Sequence, residues 1–292
     1  MNIRVNAYAK INLHLDVTKI RDDGYHNIQS IMQSISLCDI VDIEIINEEK
    51  IIIECNTADV PLDEKNIAYK AAKRFFEKAN IKSGAVIKIQ KNIPMAAGLA
   101  GGSADGAAVL VGLNKLFENA LSQNELYALG ASLGADIPFC MTCGCCYTAG
   151  IGDELTEVEP LSTDTVLVIA CGGEGVSTPM AYRLLDDKYN KFINYEPRGY
   201  MPLISKIADK SNDFCDLLFN IFEEPISNER PAVGNAKAIM LECGARAAMM
   251  SGSGPSVFGV FLDASDANRA VESLKKQGYF ASAAFPTGKQ SV

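Results

Sequence analysis

The chain has little with which to do metal or nucleic-acid chemistry. Its 292 residues include only two histidines, His14 and His26, too few to build a His-ligated metal centre. Basic residues are outnumbered, 27 Lys and Arg against 36 Asp and Glu, for a net charge of −9. A chain of that sign is repelled by nucleic acid and by anionic membrane surfaces. No apolar run reaches membrane-spanning length, and Arg4, Lys10 and Asp16 interrupt any N-terminal leader, so a cytoplasmic location is expected. No Cys/His pair and no serine elbow suggests nucleophilic catalysis. The two commonest phosphate signatures are also missing: no Lys-Ser/Thr follows a glycine run, and the order Gly-x-Gly-x-x-Gly does not occur. No internal repeat or low-complexity segment appears.

What the chain does have is Asn92-Ile-Pro-Met-Ala-Ala-Gly-Leu-Ala-Gly-Gly-Ser103. Alternating residues before it read as a strand, and some sixteen residues after it read as a helix. A glycine-rich turn at a helix start aims unpaired N–H groups at the positive end of the macrodipole, and these bind phosphate without a basic side chain. The alternative is a tight connection that lets the helix pack closely on a sheet.

Three further constellations bear on that choice. In Ala7 to Val17, alternation from Ile11 through Leu13 and Leu15 predicts a strand with one buried face and with Lys10, Asn12 and His14 on the other; these three line a cleft or form a solvated face. The turn Asp23-Gly-Tyr25-His26 offers an aromatic ring and an imidazole, or is a surface loop. Ser122 to Glu125 reads as a capping box opening a helix that Gly134 stops. Asp136 then leaves at the C-terminal end, poorly placed for the dipole but suited to act as a general base, with Lys10 as the cation that keeps it ionised. Ser251-Gly-Ser-Gly-Pro-Ser256 is a second small-residue turn between apolar strands, either an ordinary hairpin or a second loop closing over a triphosphate.

Together these motifs resemble the GHMP small-molecule kinase superfamily, which includes galactokinase, homoserine kinase and mevalonate kinase. Within it, Lys10-Ile-Asn-Leu13, Asp23-Gly-Tyr-His26 and Leu133-Gly-Ala-Asp136 most resemble the 4-diphosphocytidyl-2-C-methyl-D-erythritol kinase family. The match runs in order from Ala7 to Phe258, Ser211 to Phe214 included, with nothing matched over 185–210. The resemblance implies ATP-dependent phosphorylation of a hydroxyl on a cytidine-diphosphate sugar alcohol. Asp136 would accept the proton, and Lys10 would stabilise charge. Pro94, Met95, Ala96, Ala97, Gly98, Leu99, Ala100, Gly101, Gly102, Ser103 and Ala104 would wrap the ATP phosphates, with Ser103 near the β/γ-phosphates or Mg2+. Tyr25 and His26 would hold the cytosine, and Asn12, Thr178 and Tyr182 would contact the substrate.

Ala96 and Ala100 stand where more glycine-rich versions of the loop have Gly, so cradling requires both to be αR or β. Met32 stands where an aromatic would help enclose the cytosine, and Asp105 is a magnesium ligand or a solvated first-turn acid. Homoserine kinase is the rival activity. A non-catalytic nucleotide sensor would lack the base, and a metal-binding interaction protein would rest on the cysteines alone. Those nine cysteines read as free thiols; Cys140, Cys143, Cys145 and Cys146 are either a zinc site or buried thiols, since strand alternation would send 143 and 145 to one face and 140 and 146 to the other.

Composition, 48% hydrophobic and 22% charged, suits a globular enzyme. Strands are predicted over 3–17, 28–37, 40–46, 51–55 and 85–90, with helices over 66–79 and 103–117. After turns at 150–160 come strand 165–170, helical segments, helix 232–242, strands 245–250 and 256–262, helix 265–277 and strand 279–284. The fold expected is α+β in two domains, 1–160 binding ATP phosphates and 161–292 with the strand and helix order of a ferredoxin-like domain, the active site lying in the cleft between them. The partners expected are ATP and a small molecule.

Overall fold

The computed structural model describes residues 1–192 and 195–290. Its chain runs β1 (Asn2–Ile20), β2 (His26–Ile46), β3 (Ile51–Cys55), α1 (Ile67–Ala79), β4 (Gly84–Gln90), α2 (Gly101–Leu116), α3 (Gln123–Leu133), α4 (Ile137–Thr142), β5 (Cys145–Ala149) and β6 (Glu154–Glu157). There follow β7 (Val166–Cys171), α5 (Thr178–Lys188), α6 (Met201–Ala208), β8 (Phe219–Asn220), α7 (Glu223–Glu229), α8 (Pro231–Glu242), β9 (Ala247–Met250), β10 (Val257–Phe261), α9 (Ala264–Lys276) and β11 (Phe280–Ala284).

The first sheet has the order β3-β4-β2-β1-β8, with β5 pairing both β2 and β6. The second has the order β11-β7-β10-β9, every pair antiparallel. Numbering its strands by sequence gives 4-1-3-2, the ferredoxin-like arrangement expected. The first sheet takes its strands from residues 2–157 and one, β8, from Phe219–Asn220, which lies parallel to His14–Leu15. Among the described residues no helix is long and apolar enough to cross a membrane.

Local sequence sets the helix ends. Asn66 caps α1 by accepting from Ala68 N, and Ala68, Ala71, Ala72, Phe75 and Phe76 then recur at helical spacing on its buried face. Ser122 and Glu125 form the predicted capping box of α3. Helix α2 is buried from Ala104 to Asn114 on every side. It fits because its glycines allow close approach: a Cβ on Gly112 would lie 2.6 Å from Ile43 Cδ1.

Two strand expectations are corrected. The two predicted strands over 28–37 and 40–46 are one, β2, whose first half pairs β5 at Ser30–Gln33 and whose second half pairs β4 at Ile40–Ile46. Its register against β1 shifts between Tyr8 and Lys10, opposite Ser34 to Cys38, where the change of partner takes place. And β1 has two buried faces from Ala9 to Val17, not one. Ala9, Ile11 and Leu13 pack with Leu167, Ile169, Phe258 and Val260 of the second sheet, so one apolar cluster joins the two sheets. Lys10 and Asn12, on the opposite face, are enclosed as well.

Candidate active site

A cavity of about 640 Å3 is walled by the β4–α2 loop, the Lys10 side of β1, the start of α4, the start of α5 and the β9–β10 loop. All eleven expected loop residues except Ala104 line it, together with Lys10, Asn12, Asp136, Thr178 and Tyr182. Ala104 is buried inside α2.

The loop ends at Ala100, the N-cap of α2, and the first bond back into the helix is Ala104 N to Ala100 O. The N–H groups of Gly101, Gly102 and Ser103 therefore have no helical partner and sit at the positive end of a sixteen-residue helix, a ready anion site. Ala96 and Ala100 are neither αR nor β: their φ values are 50° and 58°. Left-handed alanine costs about 1–2 kcal/mol per residue, so the surrounding packing holds this loop in shape against its own backbone preference.

That packing comes from the second glycine turn, which is not an isolated hairpin. Ser256 N donates to Ala97 O at 3.1 Å, Ser251 Oγ to Gly98 O at 3.2 Å, Asn12 N to Ser251 Oγ at 3.3 Å and Lys10 N to Leu99 O at 3.1 Å. Gly98, at φ 77°, meets the turn so closely that a Cβ would lie 2.2 Å from Ser251 O. At Gly101 the nearest atom to a Cβ would be 3.1 Å away, and at Gly102 3.6 Å. Alanine substitution should thus weaken ATP binding in the order Gly98 far more than Gly101, and Gly101 more than Gly102. Calorimetric titration of ATP against the three variants checks this; equal losses, or a matching loss for the acceptor substrate, would make the loop a purely structural connection.

Lys10 is buried, and its Nζ donates to Asn12 Oδ1 at 2.7 Å. Asn12 Nδ2 in turn donates to Ser30 Oγ, and Ser30 Oγ to His14 O. The expected partner of Lys10 was Asp136, but among the described residues Lys10 makes no ion pair; Asn12 fixes it instead. Asp136 is also placed differently. Gly134 ends α3 as expected, but Asp136 then occupies the N-cap of the short α4, with Pro138 in its first turn. A carboxylate there faces the favourable end of the helix dipole, not the unfavourable one. Its side chain makes no cap bond to α4 and, among the described residues, no other hydrogen bond, so both oxygens face a ligand unclaimed.

His14 does not join this site. It is fully buried, between Phe219 at 5.6 Å and Tyr200 at 6.3 Å, and neither ring nitrogen has a partner. Burial, assisted by the charge of Arg198, pushes its pKa from 6.5 to about 4. The unfolded chain then binds more protons between those values, so stability falls as pH drops from about 6.5 to about 4 and levels off below. The drop is about 3 kcal/mol. His14→Phe should remove this difference between pH 7 and pH 4.5 in urea unfolding; an unchanged pH dependence would mean that another group carries it.

Tyr25 is 62% exposed on the β1–β2 turn and is not on the cavity wall. The His26 side chain is buried but stacks behind Tyr182 instead of lining the cavity. Tyr182 and Phe222 are the aromatics that line the cavity among the described residues, and Met32 lines it too. Burial, and then the nearby charge of Asp136, push the Tyr182 phenol up to about 12.

Several wall residues escaped the motif reading. Val60, Lys65 and Asn66 lie before α1; in the sequence Asn66 is expected only as the first residue of a helix. Lys91 binds two carboxylates, Asp39 and Asp105, the latter at 2.7 Å. Asp39 Oδ1 also accepts from Asn92 N and Ile93 N at 2.6 and 2.8 Å, anchoring the start of the loop. Burial lowers the Lys91 pKa but its two carboxylates outweigh that and raise it, whereas burial pushes Asp105 up to about 7. One ammonium between two carboxylates leaves an excess negative charge, and Asp105 Oδ1 has no partner.

The four crowded cysteines do not follow strand alternation. Cys140 lies in α4, Cys143 follows it at φ 57°, and Cys145 and Cys146 begin β5. All four are buried free thiols, raised by burial, and among the described residues no group of three His, Cys, Asp or Glu could hold a metal.

Residues 66–144 match the family described as GHMP kinases N terminal domain, and residues 200–279 that described as GHMP kinases C terminal. The chain is 44% identical over 272 residues to the 4-diphosphocytidyl-2-C-methyl-D-erythritol kinase of Caldicellulosiruptor saccharolyticus, covering 93% of this chain and 92% of the relative. It is 45% identical over 278 residues to the enzyme of the same name from Clostridium botulinum, covering 95% and 96%. Among solved structures, a 4-(cytidine 5'-diphospho)-2C-methyl-D-erythritol kinase superposes with a TM-score of 0.81 at 30% identity, over 98% of this chain and 100% of that one. Homoserine kinase from Cytophaga hutchinsonii superposes at 0.75 with 20% identity, over 99% and 96%, a likeness of fold.

Proposed function

We propose, from the premise that this chain belongs to the 4-diphosphocytidyl-2-C-methyl-D-erythritol kinase family of GHMP kinases, a division of labour among its cavity residues. The activity is ATP-dependent phosphorylation of an alcohol hydroxyl of 4-diphosphocytidyl-2-C-methyl-D-erythritol, a step of non-mevalonate isoprenoid precursor synthesis. The observation that carries the assignment of roles is the unpartnered Asp136 carboxylate, in one cavity with the glycine loop and Lys10.

Phosphoryl transfer asks little covalent help of a protein; positioning and charge stabilisation do most of the work. The free N–H groups of Gly101 to Ser103 hold the ATP phosphates. The acceptor hydroxyl lies against Asp136, which takes its proton as the oxygen bonds to the γ-phosphorus. The β–γ bridging bond breaks, and ADP leaves with the electron pair. Lys10, held by Asn12, faces the transferring group with a positive charge. Thr178 and Tyr182 contact the acceptor. Tyr25, on the turn outside the cavity wall, reaches the cytosine if the base extends past Tyr182 toward the β1–β2 turn, with His26 beside it.

Mg2+ keeps most of its ligands as phosphate and water oxygens and takes one or two from protein. The unpartnered Oδ1 of Asp105 and the excess negative charge beside Lys91 fit such an ion. Asp105 and the Ser103 hydroxyl would hold it, and it would supply positive charge to the ATP phosphates. We assign the ATP-phosphate site to residues 1–160 and the acceptor wall at Thr178 and Tyr182 to residues 161–292. An ADP-release assay across the cytidyl acceptor, homoserine and mevalonate tests the function: the cytidyl acceptor should be strongly preferred, and preference for homoserine would overturn the substrate.

A further inference from the structure

The β1–β2 turn meets α5 through a part-buried side-chain pair, the imidazole enclosed and the carboxylate half-buried. His26 Nε2 lies 2.8 Å from Asp186 Oδ1, and the same imidazole stacks on Tyr182 with centroids 4.5 Å apart and planes 32° apart. Tyr182 and Asp186 are four residues apart on α5, so they share a helix face and one imidazole spans both. Phe192 meets the imidazole edge-on at 5.8 Å. Phe222 meets Tyr182 edge-on from another side at 5.0 Å. The Tyr182 ring is therefore gripped between His26 and Phe222, and it is the Tyr182 ring, not the imidazole, that reaches the cavity.

We propose that Asp186 is a positioning residue for the acceptor substrate: by accepting from His26 Nε2 it fixes the imidazole against Tyr182, and so sets the aromatic wall on which the acceptor lies. This rests on the reading of Tyr182 as a substrate-contacting residue. A carboxylate only accepts, so the imidazole must carry its proton on Nε2, and turning the ring over would forfeit a charge-assisted bond. Without Asp186 an imidazole has a broad, roughly two-fold torsion and no reason to keep one face toward the tyrosine. Neither residue touches the phosphate loop, so the effect is confined to the acceptor.

The chain's two histidines make the imidazole state directly readable. Nitrogen-15 NMR of the wild-type rings, with the His26 signals assigned through His26→Gln, should show His26 carrying a proton on Nε2 that bonds Asp186; Asp186→Ala should lose that bonded Nε2–H signal. In the same variant KM for the cytidyl acceptor should rise about tenfold while kcat and KM for ATP stay within about twofold, a change in ground-state binding alone. Asp186→Asn keeps an oxygen that accepts from Nε2–H, and should stay within about threefold of wild type. A wild-type His26 protonated on Nδ1 alone, an unchanged acceptor KM in Asp186→Ala, or equal rises in both KM values would overturn the proposal. Wild-type protein that leaves the cytidyl acceptor unphosphorylated would instead overturn the functional reading, and with it the substrate half of this inference; that failure is distinguishable because the imidazole spectrum would still show the form held by Asp186.

Discussion

Asp136→Asn is expected to retain ATP binding and to lose about two to four orders of magnitude in kcat, the range a positioned general base contributes. The substitution is nearly isosteric, and the side chain it replaces makes no cap bond to α4 and no other hydrogen bond among the described residues, so folding should be untouched. An amide cannot take the hydroxyl proton, and it carries no charge at the α4 N-terminus. Single-turnover rates together with calorimetric ATP binding separate the two effects. Turnover within a few-fold of wild type would remove Asp136 from the mechanism.

Lys10→Ala should cost about two to three orders of magnitude in kcat, because a preorganised charge aimed at the transferring group is worth that much in a water-poor site. Its effect has a second component that Asp136 lacks. Lys10 is enclosed and bonded to Asn12 Oδ1, so truncation also leaves Asn12 with an unmatched acceptor at a cost of about 1–3 kcal/mol in stability. Denaturant unfolding measures that part, and kcat the other. If the variant changed KM alone, Lys10 would be a ground-state binding residue. Asn12→Ala supplies the control: it keeps the ammonium but frees it, so a smaller loss in kcat than for Lys10→Ala is expected.

How far the site could be read in the sequence follows from the distance over which each feature is specified. The glycine loop before α2, the capping box at Ser122, the stop at Gly134 and the ferredoxin-like strand order are set within a few residues by periodicity, caps and turn chemistry, and the structure keeps them. The motif residues Lys10, Asn12, Asp136, Thr178 and Tyr182 could be assigned to one cavity only through their resemblance to a family; the residue pattern alone left Lys10, Asn12 and Asp136 with a solvated or structural alternative and gave Thr178 and Tyr182 no role.

What only the tertiary structure decided depends on partners far away in the chain. Ser251 locks Gly98 across 153 residues, which is why alanines can stand in left-handed backbone at 96 and 100 although local preference forbids it. Lys10 is claimed by Asn12 and not by Asp136, and the opposite face of β1 is covered by the second sheet, which the alternation of β1 itself does not show. Asp39, Lys91 and Asp105 meet from three elements, and His26 finds Asp186 across 160 residues. Sequence by itself determined most helices, the phosphate loop and the residue types able to transfer a phosphoryl group, since helix, turn and N–H geometry are local. Which carboxylate pairs with which cation, which aromatic faces the cavity and which stays outside were decided by packing, because buried charges and rings take whatever partner the assembled fold brings within reach.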